Sequence, residues 1–277
     1  MEPLKSMQNS FIKQLVKLKK RKYREQEGRF VIEGLRFVEE ALKSGWPVEN
    51  IIYCDDFAGS ERGADLLDRA LKENVKTTPV EKKILYDLAS TETPQGVLAL
   101  CGMKRWRLSD LAGTGRAGRT GSGPLLVVAD GVSDPGNLGT IIRSADAFGA
   151  CGAVLTRVTV DLYNSKTLRA TMGSVFHLPV PGNVGPDEIA GHLVNTGISL
   201  LVGVPEGGAP LSRMDLRRPL ALVVGSEADG PSRELLSLPH EKVSIPMTGR
   251  AESLNAGVAA SIMLYEIARQ ANMEVGG

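Results

Sequence analysis

Three segments far apart in the sequence follow apolar, strand-like runs and carry polar residues that could perform chemistry. The first, residues 130–146, follows PLLVVA and reads DGVSDPGNLGTIIRSAD. Pro135 and Gly136 predict a turn, and Asn137 stands where the N-cap of a following helix belongs. At roughly 100° per residue, the apolar side chains of that helix share one side and Arg143 points roughly 160° away. A guanidinium there could bind a phosphate or stabilise an oxyanion, but an ordinary surface arginine would have the same position.

The second segment pairs glycines with a carboxylate. In LALVVGSEADG, an apolar run leads to Gly225 and Gly230, with Glu227 between them. Glycines let backbone N–H groups approach a ligand, and a carboxylate accepts hydrogen bonds from hydroxyl or amine donors. A tight turn after a core strand explains the glycines equally well.

The third segment, KVSIPMTGRAESLN, ends just before a sequence with helical periodicity. Ser253 or Asn255 is a candidate N-cap for that helix. Taken alone, this segment predicts only a helix start.

The elements that must position these residues alternate between short apolar strands and helices. From residue 124 onward the predicted strands are PLLVVAD, GAVLT, SVFHLPV, ISLLVGV, LALVVG and KVSIPM. Continuous apolar strands joined through helices indicate a parallel sheet covered on both faces. Ligands of such sheets bind at the carboxyl ends of the strands, which is where the three segments begin.

The first hundred residues predict a smaller α/β domain. Helical patterns surround FVIEG, and the strand-like runs NIIYC and VLALC enclose the helical GADLLDRALKEN. The net charge is only +1, but eight basic residues lie between Lys13 and Arg29 against two acidic ones. Such a cluster could neutralise phosphates, or it could be a solvated helix face.

Residues 103–123 are rich in Gly and Arg and have almost nothing to bury, which indicates a linker. They include GTGRAG, a formal match to a dinucleotide fingerprint, but no strand runs into these glycines and no helix leaves them. The sequence therefore predicts a domain at 1–102, a linker at 103–123 and a second domain at 124–277.

Composition excludes several classes of protein. The chain is 42% hydrophobic and 23% charged, with no apolar run long enough for a membrane span and no secretory signal at its start, so we expect a soluble cytoplasmic protein. Three widely spaced cysteines and three scattered histidines indicate neither disulfides nor zinc. Magnesium on Asp130, Asp134, Asp146 and Glu227 is the weaker idea, because these carboxylates come from different loops, and we expect no metal.

The three segments together resemble the signature motifs of the SpoU/TrmH family of RNA 2′-O-ribose methyltransferases, in the SPOUT superfamily. The matching patterns are Asn-x-Gly-x-x-x-Arg over 137–143, Gly-x-Glu-x-x-Gly over 225–230, and Ile-Pro-Met followed by Ser-Leu-Asn over 245–255. FVIEG with Arg36, and TETPQG, are similar to the family's substrate-binding domain. The resemblance covers nearly the whole chain and extends to enzymes of the thiostrepton-resistance type.

The resemblance implies a C-terminal parallel-sheet domain with a deep trefoil knot, a smaller N-terminal α/β domain like a ribosomal protein, and homodimers formed through the C-terminal domain. It implies S-adenosylmethionine as cofactor. The implied cofactor-binding residues are Leu155, Thr156, Ser174, Val224, Gly225, Gly230, Ile245, Pro246, Met247, Ser253, Leu254 and Asn255. The implied catalytic residues are Asn137, Arg143, Glu227 and Asn255.

Arg143 matches the family's catalytic arginine, often proposed to be a general base. Deprotonating a guanidinium at neutral pH costs about 7 kcal/mol, so we expect Arg143 to bind the substrate phosphate and stabilise charge on the 2′-oxygen. Asn137 would orient the hydroxyl.

The expected substrate is structured RNA, ribosomal RNA before transfer RNA, because a separate domain suits a folded target. The candidate RNA-binding residues are Lys19, Lys20, Arg21, Lys22, Arg24, Arg36 and Gln95. Two other classes compete: a non-catalytic RNA-binding protein with the same fold, and a nucleotide-dependent oxidoreductase, which rests on the linker glycines alone.

Overall fold

The computed structural model describes residues 2–112 and 123–272. The chain divides into two compact units. The first runs to Lys104 and includes the short segment Tyr163–Ser165, and the second comprises Arg105–Leu162 and the residues from Lys166 onward. The GTGRAG segment at 113–118, interpreted above as part of a linker, lies outside the described residues.

The first unit is a four-stranded sheet with helices. Its strands are β1 (Arg29–Glu33), β2 (Val48–Tyr53), β3 (Lys76–Pro79) and β4 (Val97–Gly102). In the sheet their order is β1-β4-β2-β3, with β4 antiparallel to both its neighbours and β3 parallel to β2. Its helices are α1 (Ser10–Lys17), α2 (Arg21–Glu27), α3 (Leu35–Lys43), α4 (Asp55–Ala58), α5 (Glu61–Lys72) and α6 (Lys82–Leu88).

The second unit is built on a six-stranded sheet. Its strands are β5 (Leu125–Ala129), β6 (Gly152–Leu155), β7 (Ser199–Gly203), β8 (Ala209–Pro210), β9 (Leu220–Val224) and β10 (Glu241–Ser244). Their order is β6-β5-β9-β7-β10-β8, and every pairing is parallel, as the apolar runs predict. All residues of the adjacent strands β5 and β9 are buried, because helices cover both faces of a parallel sheet.

The second unit also contains helices. They are α7 (Ser109–Ala112), α8 (Pro135–Ala147), α9 (Ser165–Thr171), α10 (Pro186–Thr196), α11 (Arg233–Leu236) and α12 (Ala256–Asn272), with 3₁₀ turns at Ser174–Phe176 and Leu211–Arg213. Two close contacts define the surroundings of α8. A Cβ at Gly139 would lie 2.3 Å from the Cβ of Ala170 on α9, and one at Gly257 on α12 would lie 3.0 Å from the Cβ of Thr140.

Two predictions about local structure are wrong. The apolar run SVFHLPV is not a strand: Ser174–Phe176 forms a 3₁₀ turn whose residues are buried. A short, continuously apolar run fits a buried helical turn as well as a strand, because periodicity does not separate them. The predicted linker also has something to bury, since Leu111 is 5% exposed and joins the core of the second unit.

Candidate active site

The three motif segments leave the same edge of the second sheet, because β5, β9 and β10 are parallel and each segment follows the carboxyl end of one of them. β5 and β9 are neighbours, and the pairing continues one residue beyond β5, where the Asp130 N–H donates to the carbonyl of Val224 at 2.9 Å. The Asp130 side chain is buried and accepts a hydrogen bond from the N–H of Ser232 at 2.6 Å. Hydrogen bonds therefore join the first and second segments where they leave the carboxyl ends of β5 and β9.

Helix α8 begins earlier than the sequence suggests. Asp134 is its N-cap, with Oδ1 accepting from the N–H of Asn137 at 2.8 Å, and Pro135 is in the first turn. The prediction that Asn137 is the N-cap is wrong, because proline suits the first helical position and Pro135-Gly136 opens the helix instead of preceding it. Asn137 thus lies within the first turn, and its side chain is available for other contacts.

Glu227 is the acceptor that organises the first segment. One carboxylate oxygen accepts from the N–H and Oγ of Ser133 at 3.1 and 2.9 Å. The other accepts from the N–H of Asp134 at 3.2 Å and from Nδ2 of Asn137 at 2.7 Å. Burial raises the pKa of Glu227, but the hydrogen bonds from Asn137 and Ser133 outweigh it and hold this pKa at about 2.

Asn137 links the second segment to the third. Its Nδ2 donates to Glu227, so its Oδ1 faces Asn255, whose Nδ2 donates to it at 2.8 Å. Asn255 Oδ1 in turn accepts from the N–H of Val258 at 3.2 Å, which confirms the predicted N-cap of α12. The Asn137 amide keeps one N–H and one lone pair for a substrate hydroxyl, and these stand in a fixed orientation.

Arg143 lies on α8 about 9 Å further along the helix axis than Asn137 and about 120° around it. Its side chain is exposed, and within residues 2–112 and 123–272 it forms no hydrogen bond or ion pair. The sequence interpretation that this guanidinium is directed off the core is confirmed. Its charge is available to an anion from outside the protein.

The loop between Ser226 and Gly230 closes tightly. The N–H of Ser226 donates to the carbonyl of Gly230 at 2.9 Å, and the reverse pair is 3.1 Å apart. A Cβ at Gly225 would lie 2.1 Å from the backbone nitrogen of Pro231, so only glycine permits this closure. The turn explanation of these glycines is correct, and the same turn holds Glu227 in place.

Beyond β10 the chain is suited to contact a ligand. Residues 246–254 form no hydrogen bond with any other residue that the structure describes. Ile245, Met247 and Leu254 are partly exposed, so apolar side chains and unpaired backbone groups are presented together. This combination fits the flat, hydrogen-bonding ring of a nucleoside.

The remaining candidate cofactor residues lie deeper. Leu155 ends β6 and Thr156 follows it, and the Thr156 hydroxyl accepts from the N–H of Gly131 at 3.1 Å. Thr156 and Ser174 are each 8% exposed, and Val224 is 7% exposed. Any contact they make with a cofactor would involve little more than their outermost atoms.

The candidate RNA-binding residues of the first unit separate into groups. Lys20, Arg21, Lys22 and Arg36 are exposed, while Lys19 is exposed with its ammonium donating to the carbonyls of Asp87 and Ala89. Gln95 accepts from the N–H of Leu35 at 2.9 Å, and the hydroxyl of Thr91 donates to Glu33, so TETPQG contacts FVIEG and the residue after it.

The prediction that Arg24 contacts RNA is wrong, because Arg24 is 6% exposed and its guanidinium donates to the carbonyls of Leu18 and Lys19 at 2.9 Å. It closes the turn between α1 and α2 and is not placed to contact RNA. A buried arginine and an exposed one look alike in a basic run.

Sequence reasoning passed over Ser133 and considered Asp130 and Asp134 only as metal ligands. All three residues lie in the first motif segment. Only the register of β5 against β9 shows that they form hydrogen bonds with the second motif segment. Within the two described stretches no group of three or more metal-ligating side chains occurs. The helices of those stretches include none long and apolar enough to cross a membrane.

The pH dependence of folding tests the role assigned to Glu227. Its folded pKa is about 2 against 4.5 unperturbed, so its contribution to the free energy of unfolding is full above pH 4.5 and is lost as the pH falls toward 2. Glu227→Gln should cost on the order of 1 kcal/mol at pH 7, a value kept low by solvent screening, and the cost should shrink below pH 4.5.

Urea unfolding at several pH values measures this difference. Glu206→Gln is the matched control, because Glu206 is an exposed glutamate of the same unit with no partner in the described residues, and its cost should be near zero throughout. A Glu227→Gln cost that is absent at pH 7, or that grows as the pH falls, would contradict the assignment.

Comparison with known proteins finds family models and relatives that match this chain. The model described as the SpoU rRNA Methylase family matches residues 124–265, and the MRM3-like substrate binding domain matches residues 9–99. The 23S rRNA (guanosine(2553)-2′-O)-methyltransferase RlmP of Bacillus subtilis is 34% identical over 267 residues, which span 96% of this chain and 99% of that protein.

Solved structures agree. The AdoMet-bound rRNA methyltransferase from Sinorhizobium meliloti superposes with a TM-score of 0.84 at 30% identity, covering 97% of both chains. The SpoU methyltransferase AviRb from Streptomyces viridochromogenes, in complex with AdoMet, gives a TM-score of 0.83 at 30% identity, covering 97% of this chain and 100% of that one. This chain, with its α/β fold and its three linked motifs, belongs to the SpoU rRNA methylase family.

Proposed function

We propose that this protein transfers the methyl group of S-adenosylmethionine to a ribose 2′-hydroxyl of large-subunit ribosomal RNA. The observation that carries the proposal is the chain of hydrogen bonds from Glu227 through Asn137 to Asn255, which brings all three motifs to one place. Two relatives that match over 96% and 90% of the chain are named 23S rRNA 2′-O-methyltransferases, and two superposed structures contain the cofactor. A transfer RNA substrate is the alternative.

The cofactor fits the loop after β10. Ile245, Met247 and Leu254 would hold its adenosine, and the backbone of 246–254 would bind the base edge through groups that have no partner in the described residues. Bound there, it supplies an activated methyl group, so the protein has only to orient and stabilise the ribose oxygen. The trefoil knot that the family resemblance implies would shape the same region.

Arg143 and Asn137 divide the work on the substrate. The exposed guanidinium of Arg143 binds the phosphate and stabilises the negative charge that develops on the 2′-oxygen. Asn137, held by Glu227 and Asn255, uses its remaining N–H and lone pair to orient the hydroxyl. The hydroxyl proton passes to solvent water as the oxygen–methyl bond replaces the sulfur–methyl bond, so Arg143 keeps its own proton.

We also propose a homodimer formed through α12. Val258, Ile262 and Tyr265 are 46%, 37% and 54% exposed and recur at helical spacing, so they form one apolar stripe. The stripe continues from the Asn255 N-cap, and the ring of Tyr265 lies edge-on to that of Phe148, the C-cap of α8, with 5.9 Å between the ring centroids. A second copy of this chain would bury it, placing the interface next to the active site.

The substrate and its location complete the proposal. The exposed basic residues of α1, α2 and Arg36 suit the phosphates of a folded RNA, and a ribosomal RNA substrate supports a cytoplasmic location for the enzyme. Residues 1–102 would then select the RNA, and residues 124–277 would methylate it.

Labelled cofactor tests the reaction. Incubation of the purified protein with methyl-labelled S-adenosylmethionine and protein-free 23S rRNA should place label in alkali-resistant dinucleotides, because a 2′-O-methyl group blocks hydrolysis of the adjacent linkage. Arg143→Ala should slow the single-turnover rate about 100-fold or more with RNA and cofactor saturating.

Arg213→Ala is the matched control, since Arg213 is an exposed arginine of the same unit without a partner in the described residues, and it should keep the wild-type rate. Label on a base would refute 2′-O transfer. Label only in transfer RNA would favour the alternative substrate. A wild-type rate in Arg143→Ala would show that Arg143 neither binds the phosphate nor stabilises charge on the 2′-oxygen.

Analytical ultracentrifugation tests the dimer. Ile262→Glu places a charge in the centre of the α12 stripe and should convert the dimer to monomer, because burying an unpaired carboxylate costs several kcal/mol. Val194→Glu changes an apolar side chain that is 81% exposed on α10 and should leave the dimer intact. A wild-type monomer, or an unchanged Ile262→Glu dimer, would contradict the proposed interface.

A further inference from the structure

Met172 combines an unfavourable backbone with an exposed apolar side chain. Its φ is 50°, in the left-handed region, and it is 61% exposed. In the described residues the other non-glycine residues with positive φ are Asn74 and Asn183, a residue type that tolerates this conformation. Neither burial nor backbone preference accounts for a methionine at position 172. Strain of this kind is often retained where a side chain has a function.

Three contacts place Met172 beside α8. Nζ of Lys166 is 3.7 Å from Oδ2 of Asp134, and a Cβ at Gly139 would lie 2.3 Å from the Cβ of Ala170. Further on, Nδ1 of His177 is 3.1 Å from Oδ2 of Asp146. The two partners are 31 or 32 positions apart in each case, so the segment 166–177 runs parallel to α8.

This alignment sets the level of Met172 along α8. Met172 lies between Ala170 and His177 in the chain, so its level along α8 falls between Gly139 and Asp146, the stretch that includes Arg143. Segment 166–177 contacts α8 at Gly139 and Asp146. Around the helix axis, Arg143 lies within about 60° of both residues, so it is near the face of α8 that this segment covers. Met172 therefore borders the approach to Arg143.

We propose that Met172 packs against an unstacked nucleobase of the RNA, next to the nucleotide whose phosphate Arg143 binds. This proposal rests on the function proposed above and adds a substrate-positioning residue outside the three motifs. A thioether makes favourable contacts with aromatic rings, and RNA-binding proteins commonly read splayed-out bases by packing side chains against them. The exposed ammonium of Lys166 and the guanidinium of Arg143 supply charges for the RNA backbone on the same surface.

The strain provides a distinctive test. Met172→Gly removes the side chain and also relieves the backbone, so its Tm should rise by about 2 °C while its activity falls. Met172→Ala should lower kcat/KM for 23S rRNA about tenfold, mainly through KM. Met172→Leu should restore most of the activity, and Val194→Ala, at a more exposed apolar side chain of the same unit, should change nothing.

Kinetics with protein-free 23S rRNA and calorimetry with S-adenosylhomocysteine give the readouts. The proposal expects a raised KM for RNA with unchanged affinity for S-adenosylhomocysteine. Wild-type KM in both Met172→Gly and Met172→Ala, with the wild-type enzyme active, overturns this inference alone. Weakened S-adenosylhomocysteine binding overturns it in favour of a cofactor role. A wild-type protein that methylates no RNA overturns the proposed function as well.

Discussion

One carboxylate holds the site together. Glu227 receives four hydrogen bonds from Ser133, Asp134 and Asn137, residues 90 to 94 positions earlier in the chain. A carboxylate only accepts, so each neighbour must present a donor, and this fixes the Asn137 amide with its oxygen toward Asn255. The orientation of the amide that meets the substrate is therefore determined at Glu227, a residue from a different strand.

The parallel sheet makes this arrangement possible. Because β5, β9 and β10 run in the same direction, their following loops share one edge, and the helices α8 and α12 then pack side by side through Thr140 and Gly257. The glycine at position 225 lets the second loop close without a clash. Core packing and site geometry are two consequences of the same strand order, so loss of either should disturb the other.

The sequence predicted the parts of this fold that depend on pattern. Apolar runs predicted the buried parallel strands, and Asn255 was recognisable as an N-cap because it precedes a helical periodicity. The sequence did not predict that Asp134 is the N-cap of α8, because a Pro-Gly pair is compatible both with a turn before a helix and with the first turn of the helix itself. The burial of Arg24 and the left-handed backbone of Met172 depend on tertiary packing. A count of charges or a helix propensity carries no information about that packing.

The most direct test of the linked site is a double-mutant cycle between Asn137 and Asn255, measured as single-turnover methyl transfer to 23S rRNA with both substrates saturating. Asn137→Ala and Asn255→Ala should each slow transfer by at least about tenfold, and the double variant should be no slower than the worse single one, because both remove one shared arrangement. Rates that fall multiplicatively would show that the two side chains act independently, and the account of a single site built from three loops would be wrong.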